Sequence, residues 1–333
     1  MLRAKDNLHT LIESVANPMN PVTLCSLSGE AGSPKFISRT EIGYTTSSSA
    51  NDPINGVTTI HRMSLKDMKP TTVATVTGDA MDVAWSPDGS SVADLAYINF
   101  PDGSNGNQLW LKVGGAAPRP LTPLIPLFGR DGSVNDQTIV RFSHDGKYLL
   151  MVDTYVAGAA PASADQAIVQ VHSVPDGKLV WVPPSALGVS GGKGGPLITM
   201  AAWSQSSDRL YYRDLAGVHT WDPPATVGML AGGLAWYTPS VSPDGRFVAY
   251  GANLTIQPRL EIRDLAAGSV RVLPGMLGQP ILLSDQVMIE AHFVRNTQLG
   301  PPYMSTDYFV LDLVTNKETP LPGTLWVMDT WPR

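Results

Sequence analysis

The sequence predicts an all-β fold, a β-propeller of seven four-stranded blades, and three observations carry that expectation. The first is a recurring turn: Trp85-Ser86-Pro87-Asp88-Gly89 returns as Val241-Ser242-Pro243-Asp244-Gly245 and as Phe142-Ser143-His144-Asp145-Gly146. Ser suits the first position of a tight turn, Pro presets φ at the second, Asp tolerates the third and Gly takes the left-handed fourth, so two strands must flank each copy. The second is spacing. With eroded copies at Ile37-Ser38, Trp203-Ser204 and Leu283-Ser284, the residue before each Ser recurs at intervals of 38 to 61 residues, as one supersecondary unit per repeat requires. The third is a further pair of apolar segments within the repeat, such as Gln108–Val113 then Arg119–Thr122, or Leu260–Leu265 then Val270–Leu273. Four strands per repeat make a propeller blade.

In chain order the expected blades cover residues 31–77, 78–125, 136–184, 198–231, 234–275 and 279–323, all within one domain. In the innermost strand of the second, Met81, Val83 and Trp85 alternate with Asp82 and Ala84, a period of two. The N-terminus has two readings. Leu8, Leu11, Ile12 and Val15 fall at helical spacing between a cap at Asp6 and a stop at Pro18; alternatively Asn7–Val15 and Pro21–Leu27 are a third and a fourth blade strand. The C-terminus favours the strands, because Val327-Met328-Asp329-Thr330-Trp331-Pro332 repeats the pattern of Met81–Pro87, and Trp331 lies 48 residues after Leu283. Residues 324–333 and 1–30 then build a seventh blade together, which leaves no open sheet edge between first and last. Six blades plus an N-terminal helix is the alternative.

The W-S-P-D-G turn, the apolar strand after it and a third strand ending in Asp-Leu, as in Ile262-Arg263-Asp264-Leu265, resemble the WD40-like repeat of TolB-like β-propellers. That resemblance implies a non-catalytic scaffold engaging a protein or peptide partner, and an extracytoplasmic setting, periplasmic or at the cell surface, as the sensor part of an envelope protein. It covers nearly the whole chain.

Composition bounds the function from the other side. Glycine (31) and proline (28) are abundant and 16% of residues are charged, as many short strands joined by turns demand. A net charge of −6 argues against nucleic acid or an anionic membrane as the main partner. The single cysteine, Cys25, lies in the apolar run Val22–Leu27; it excludes an intrachain disulfide and reads as a buried structural thiol. No apolar run approaches the ~20 residues of a membrane span, and Met1–Asp6 lacks the apolar core of a signal peptide. A monomer is expected.

Motifs that would mean chemistry fail on context. Gly188-Val189-Ser190-Gly191-Gly192 matches the nucleophile elbow in letters, but it sits in a glycine-rich inter-blade loop rather than between a strand and a helix. The six histidines are scattered without metal-ligand spacing, four of them (His9, His61, His172, His219) on expected third strands. Asp102–Asn107 is an oxygen-rich loop that would hold calcium only with more carboxylates than it has, so no cofactor is expected. What remains is loop length. Connections between first and second and between third and fourth strands are short, whereas the longer irregular segments at 45–56, 99–107, 124–135, 155–165, 183–197 and 295–305 fall at the opposite ends of the blades. Binding concentrates on such loops, so Arg130, Asp131, Asp136, Tyr155, Trp236, Tyr237, Arg295 and Tyr303 are the candidate contact residues, with no catalytic residue assigned. Asp79 and Asp136, just before innermost strands, are placed to line the channel or to satisfy backbone amides between blades. The alternative function is a propeller enzyme or a carbohydrate binder, with carboxylates and aromatics at the channel mouth.

Overall fold

A computed structural model of the chain describes residues 2–6, 9–14, 22–28, 32–47, 56–99, 105–126, 139–152, 169–184, 200–214, 216–232, 235–252, 259–274, 280–284, 286–296, 303–321 and 326–329. Its strands form seven antiparallel sheets. β1 (Leu2–Asp6), β2 (His9–Ser14) and β3 (Val22–Ser28) open the chain. The next sheet holds β4 (Gly32–Ser38), β5 (Glu41–Ser47), β6 (Val57–Ser64) and β7 (Pro70–Thr77). It is followed by β8 (Asp79–Trp85), β9 (Ser91–Asn99), β10 (Asn105–Val113), β11 (Arg119–Pro120) and the short β12 (Ile125–Pro126). Then come β13 (Ile139–Phe142), β14 (Tyr148–Val152), β15 (Val169–Ser173) and β16 (Leu179–Trp181). A further sheet contains β17 (Met200–Trp203), β18 (Leu210–Arg213), β19 (Gly217–Asp222) and β20 (Thr226–Gly232). Two more are built from β21 (Ala235–Val241), β22 (Phe247–Ala252), β23 (Arg259–Asp264) and β24 (Ser269–Pro274), and from β25 (Ile281–Leu282), β26 (Val287–Asn296), β27 (Tyr303–Asp312) and β28 (Glu318–Pro320). The last strand, β29 (Trp326–Asp329), pairs with β1, Leu2 opposite Asp329, so the two chain ends share one sheet in the order β29-β1-β2-β3.

Apart from the extra strand β12, every sheet is a four-stranded meander, the blade of a β-propeller. Residues 30–199 form one compact unit with three sheets, and residues 1–29 with 200–333 form a second with four. The stretch that could have been an N-terminal helix is β2, hydrogen-bonded to β1 on one side and β3 on the other. A short isolated helix is marginal in water, and pairing on both edges supplies what it would lack.

The repeated turn is held the same way in its three intact copies. Ser86 Oγ donates to Asp88 Oδ1 at 2.6 Å and accepts from the Ser91 amide at 2.8 Å, while the Gly89 amide closes the turn on the Ser86 carbonyl at 2.8 Å. Ser143 with Asp145 and Tyr148, and Ser242 with Asp244 and Phe247, reproduce this network. The fourth residue needs a positive φ, 68°, 75° and 74° at Gly89, Gly146 and Gly245, which glycine adopts without a steric penalty. Aspartate is thus an acceptor that organises the turn, beyond merely fitting its third position. A second local device explains the Asp-Leu ending of the third strand: Asp264 Oδ1 accepts from the Ala266 and Ala267 amides at 2.9 and 3.0 Å, and Asp312 does the same for Val314 and Thr315. Arg246 first, and then those amides, hold the Asp264 carboxyl at about 2 against the opposing effect of lost water.

Packing between consecutive sheets makes the core. Within residues 30–199, Trp85, Val83 and Val92 of the β8–β12 sheet bury themselves against Ile37, Ile60 and Ala74 of the β4–β7 sheet. Within the other unit, Val241, Val248 and Tyr250 pack on Tyr211, Val218 and Ala231, and Leu282, Met288 and Leu311 on Ala249, Leu260 and Ile262. The alternation in Met81–Trp85 suggests a polar side for Asp82, yet Asp82 is 6% exposed and Asp94 only 1%, because the strands near the front of each sheet are covered on both faces. Trp85 lies so close to Gly43 that a Cβ on Gly43 would stand 2.0 Å from Trp85 Nε1, a clash with a rigid ring rather than with a flexible tip. Gly43→Ala is therefore expected to destabilise the fold by about 1–3 kcal/mol or more through overpacking, measured as a shift in urea midpoint at constant slope, whereas Gly115→Ala, with open space around it, should not.

Candidate functional site

In a four-stranded meander the first-to-second and third-to-fourth connections leave from one end of the sheet. The remaining connections leave from the other. At the first end they are two to seven residues long throughout. At the second end they vary widely, and the four longest, 48–56, 127–138, 153–168 and 182–199, all belong to the unit of residues 30–199. Two segments expected as loops are shorter than their composition suggests. Asn105-Gly106-Asn107 continues β10 in register with Asn99, Ile98 and Tyr97, and Arg295–Asn296 and Tyr303–Ser305 belong to β26 and β27. Backbone pairing has overridden the turn-like residue types there.

The candidate contact residues divide accordingly. Arg130, Asp131, Asp136 and Tyr155 lie in the long connections and outside the described residues. Trp236 and Tyr237 fall within β21 and Arg295 and Tyr303 within β26 and β27, where only the backbone is described. Register puts the last two in neighbouring rungs at the long-loop end of the hairpin without pairing them: Tyr303 opposes Asn296 and Met304 opposes Arg295. Cys25 is in β3 with its side chain outside the description, and the Gly188–Gly192 motif and residues 102–104 are outside it altogether. Asp79 begins β8 and accepts from Ser47 Oγ of the preceding sheet at 2.7 Å.

The described histidines serve their own sheets. His9, His61, His172 and His219 are on third strands. His61 bonds Thr46 at 2.9 Å and stacks on Tyr44, His172 bonds Gln170 at 2.9 Å, and His219 meets Asp214 at 2.9 Å and stacks on Tyr212. Among the described residues no group of three or more His, Cys, Asp or Glu side chains is placed to hold a metal, and no helix is long and apolar enough to cross a membrane.

The densest charge cluster with described side chains joins three first strands of the 30–199 unit, and sequence reasoning did not find it. Asp82 on β8 receives Lys35 of β4 at 3.4 Å, Arg141 of β13 at 2.5 Å and the Val140 amide at 2.9 Å. Lys35 and Asp82 are almost fully enclosed, with side chains 11% and 8% exposed, whereas Arg141 reaches solvent at 38%. Burial works to raise the Asp82 carboxyl, but Arg141, Lys35 and the Val140 amide outweigh it and hold the group below the ordinary carboxylate value. Behind it, Asp94 on β9 is buried with neither carboxyl oxygen hydrogen-bonded among the described residues. Burial, helped by the Asp82 charge, pushes its carboxyl up to about 8. The arrangement clamps three sheets and presents one partly exposed guanidinium; it supplies no nucleophile beside a base.

Comparisons with known proteins agree on the fold. No protein-family model matches the chain, and no curated protein matches it in sequence. Among solved structures, the β-propeller domain of the trilobed protease from Pyrococcus furiosus superposes with a TM-score of 0.52 at 12% identity, covering 87% of this chain and 84% of that one. Prolyl oligopeptidase B from Galerina marginata gives 0.55 at 12% identity, with 97% of this chain matched to 48% of that one. TolB from Acinetobacter baumannii is also similar, at 0.47 and 16% identity over 84% of this chain and 63% of TolB. The chain thus spans about half of the oligopeptidase and less than two thirds of TolB. What these likenesses establish is the β-propeller fold.

The Asp82 cluster generates a direct expectation. Asp82→Asn removes the buried carboxylate on which Lys35, Arg141 and the Val140 amide converge and should destabilise the protein by about 3 kcal/mol, the low end for a broken buried pair because Arg141 reaches water. Because the folded-state carboxyl titrates below its unfolded value, the wild type gains this stability above about pH 4 and loses it as pH falls further. Chemical denaturation from pH 7 down to pH 2 should show that acid loss in the wild type and a shallower one in the variant.

Proposed function

We propose that this chain is a non-catalytic binding propeller that engages a protein or peptide partner through the long-loop ends of its sheets, above all those of residues 30–199. The observation that carries the reading is the asymmetry of the connections. One end of every sheet is closed by turns of two to seven residues, while the other carries four connections of nine to eighteen. A rigid scaffold with long loops on one side is how binding surfaces are commonly built. Arg130, Asp131, Asp136 and Tyr155 are the proposed contacts on those connections, with Arg295 and Tyr303 at the corresponding end of the β26–β27 hairpin. Arginine and tyrosine dominate such interfaces. The resemblance of the repeat to TolB-like propellers supports an extracytoplasmic setting, as the sensor part of an envelope protein.

A photo-crosslinking amino acid placed at 130 or 155 should capture a partner in cells, and the same residue at 147 or 178, on the short-turn ends, should not. Equal capture from both sets, or loss of none of the adducts in Arg130→Ala and Arg295→Ala, would overturn the proposal.

A further inference from the structure

Asp94 stands five residues after its turn glycine, where the other intact repeats have Met151 and Tyr250. Tyr250 is matched there, donating to Glu261 at 2.8 Å and accepting from Arg263 at 2.6 Å. Asp94 is not: at 1% exposure both its oxygens lack hydrogen-bond partners among the described residues. Nothing in the blade architecture requires a carboxyl at this place.

Its surroundings make ionisation costly in the present packing. Register sets Asp94 between Val83 of β8 and Trp110 of β10, so it shares the face on which Val83, Trp85 and Val92 meet the β4–β7 sheet. β8 contributes Asp79 and Asp82, both acidic; β13 contributes Arg141, and β4 lies beyond β8 with Lys35, but both cations are engaged by Asp82. β10 contributes Lys112, whose ammonium is turned to the Gly114 carbonyl; in the facing sheet Arg62 of β6 is paired with Glu41 of β5, His61 of β6 bonds Thr46 and stacks on Tyr44 of β5, and β7 has no titratable residue. Two indole N–H groups, Trp85 Nε1 and Trp110 Nε1, are likewise buried without acceptors. They are donors that the carboxyl does not engage, and the Trp85 ring is held by its packing against the β4–β7 sheet.

We propose that Asp94 is a protonation latch for the joint between the β4–β7 and β8–β12 sheets, which packs tightly with the carboxyl neutral and loosens when its proton passes to solvent. The carboxyl, raised to about 8 by burial and then by Asp82, fixes the direction. The folded joint keeps a proton that the opened one releases near pH 4, so this contribution to closing is at full strength below about pH 4. It weakens by up to about tenfold per pH unit towards pH 8 and is level beyond.

Hydrogen exchange of the full chain, wild type against Asp94→Asn at each pH from 5 to 9, reads this directly. Near pH 5 the two should differ little. By pH 8 the wild type should exchange at least about tenfold faster than the variant in peptides covering 32–47, 57–77 and 79–99, with no such change in 200–274. A ratio that does not move with pH, or that moves equally in all sheets, would sink the proposal. Carbon-13 labelling of aspartate in the wild type gives a readout that does not depend on the variant folding: one carboxyl should titrate near pH 8, and a full set titrating below pH 5 would also overturn it.

Discussion

Each sheet of this protein has two faces to hide, and the second strands show how completely it does so. In β9 six consecutive residues from Ser91 to Ala96 are buried, and β14 and β18 are buried over Leu149–Val152 and Leu210–Arg213. A strand buried on both faces needs a sheet in front and a sheet behind, which a lone meander cannot supply. Repetition of the blade follows from this requirement. Trp85, before the first intact turn, fills the gap between its sheet and the β4–β7 sheet, where its ring lies against Gly43.

The turn carries this constraint into the backbone. Ser-x-Asp-Gly closes the first hairpin with its own side-chain hydrogen bonds, and the turns of successive repeats then touch: a Cβ on Gly89 would meet Ile37 at 2.8 Å, and one on Gly245 would meet Ser206 Oγ at 2.1 Å. Bidentate pairs between second and third strands, Arg209 with Asp222 and Arg246 with Asp264, lie at the same end. That end is occupied by its own polar contacts. Variation in length is left to the other, where a long loop adds little closure entropy.

Local signals made the fold legible in the sequence. A Ser-Pro-Asp-Gly turn is specified by four adjacent residues, and the echo of Met81–Trp85 in Val327–Trp331 pointed to a C-terminal innermost strand because that pattern is likewise contiguous. The charged cluster was illegible for the opposite reason. Lys35, Asp82 and Arg141 lie 47 and 59 residues apart and meet only once three sheets are stacked. Read along the strand, Asp82 looks like the polar half of an alternation, since periodicity cannot tell a strand with one wet face from one with none. Asn105-Gly106-Asn107 misled in the same manner: its composition is that of a turn, and only the register with Asn99, Ile98 and Tyr97 shows a strand. The candidate contacts on long connections were found from chain length between strands, a signal that says where a surface can vary but not what it recognises.

Asp82 and Asp94 are both buried carboxyls, one on the first and one on the second strand of the same sheet, and the difference between them is one of supply. Asp82 sits at the front, where the neighbouring first strands deliver two cations and a backbone amide, and three opposing contacts are enough to keep a charge there. Asp94 sits one strand further back, where the adjacent sheet offers Ile37, Ile60 and Ala74. The charge that Asp82 retains adds to the burial that already favours the neutral form of Asp94. A carboxyl retained in that layer weakens the joint at any pH where it would ionise, and an asparagine or a methionine would fill the same space without that penalty. The repeat itself shows that the position accepts such residues, for it holds Met151 in one sheet and a fully matched Tyr250 in another. Asp94 is therefore the place where this chain departs from the packing logic of its own repeat, and departures of that kind mark positions held for conformational response rather than for stability.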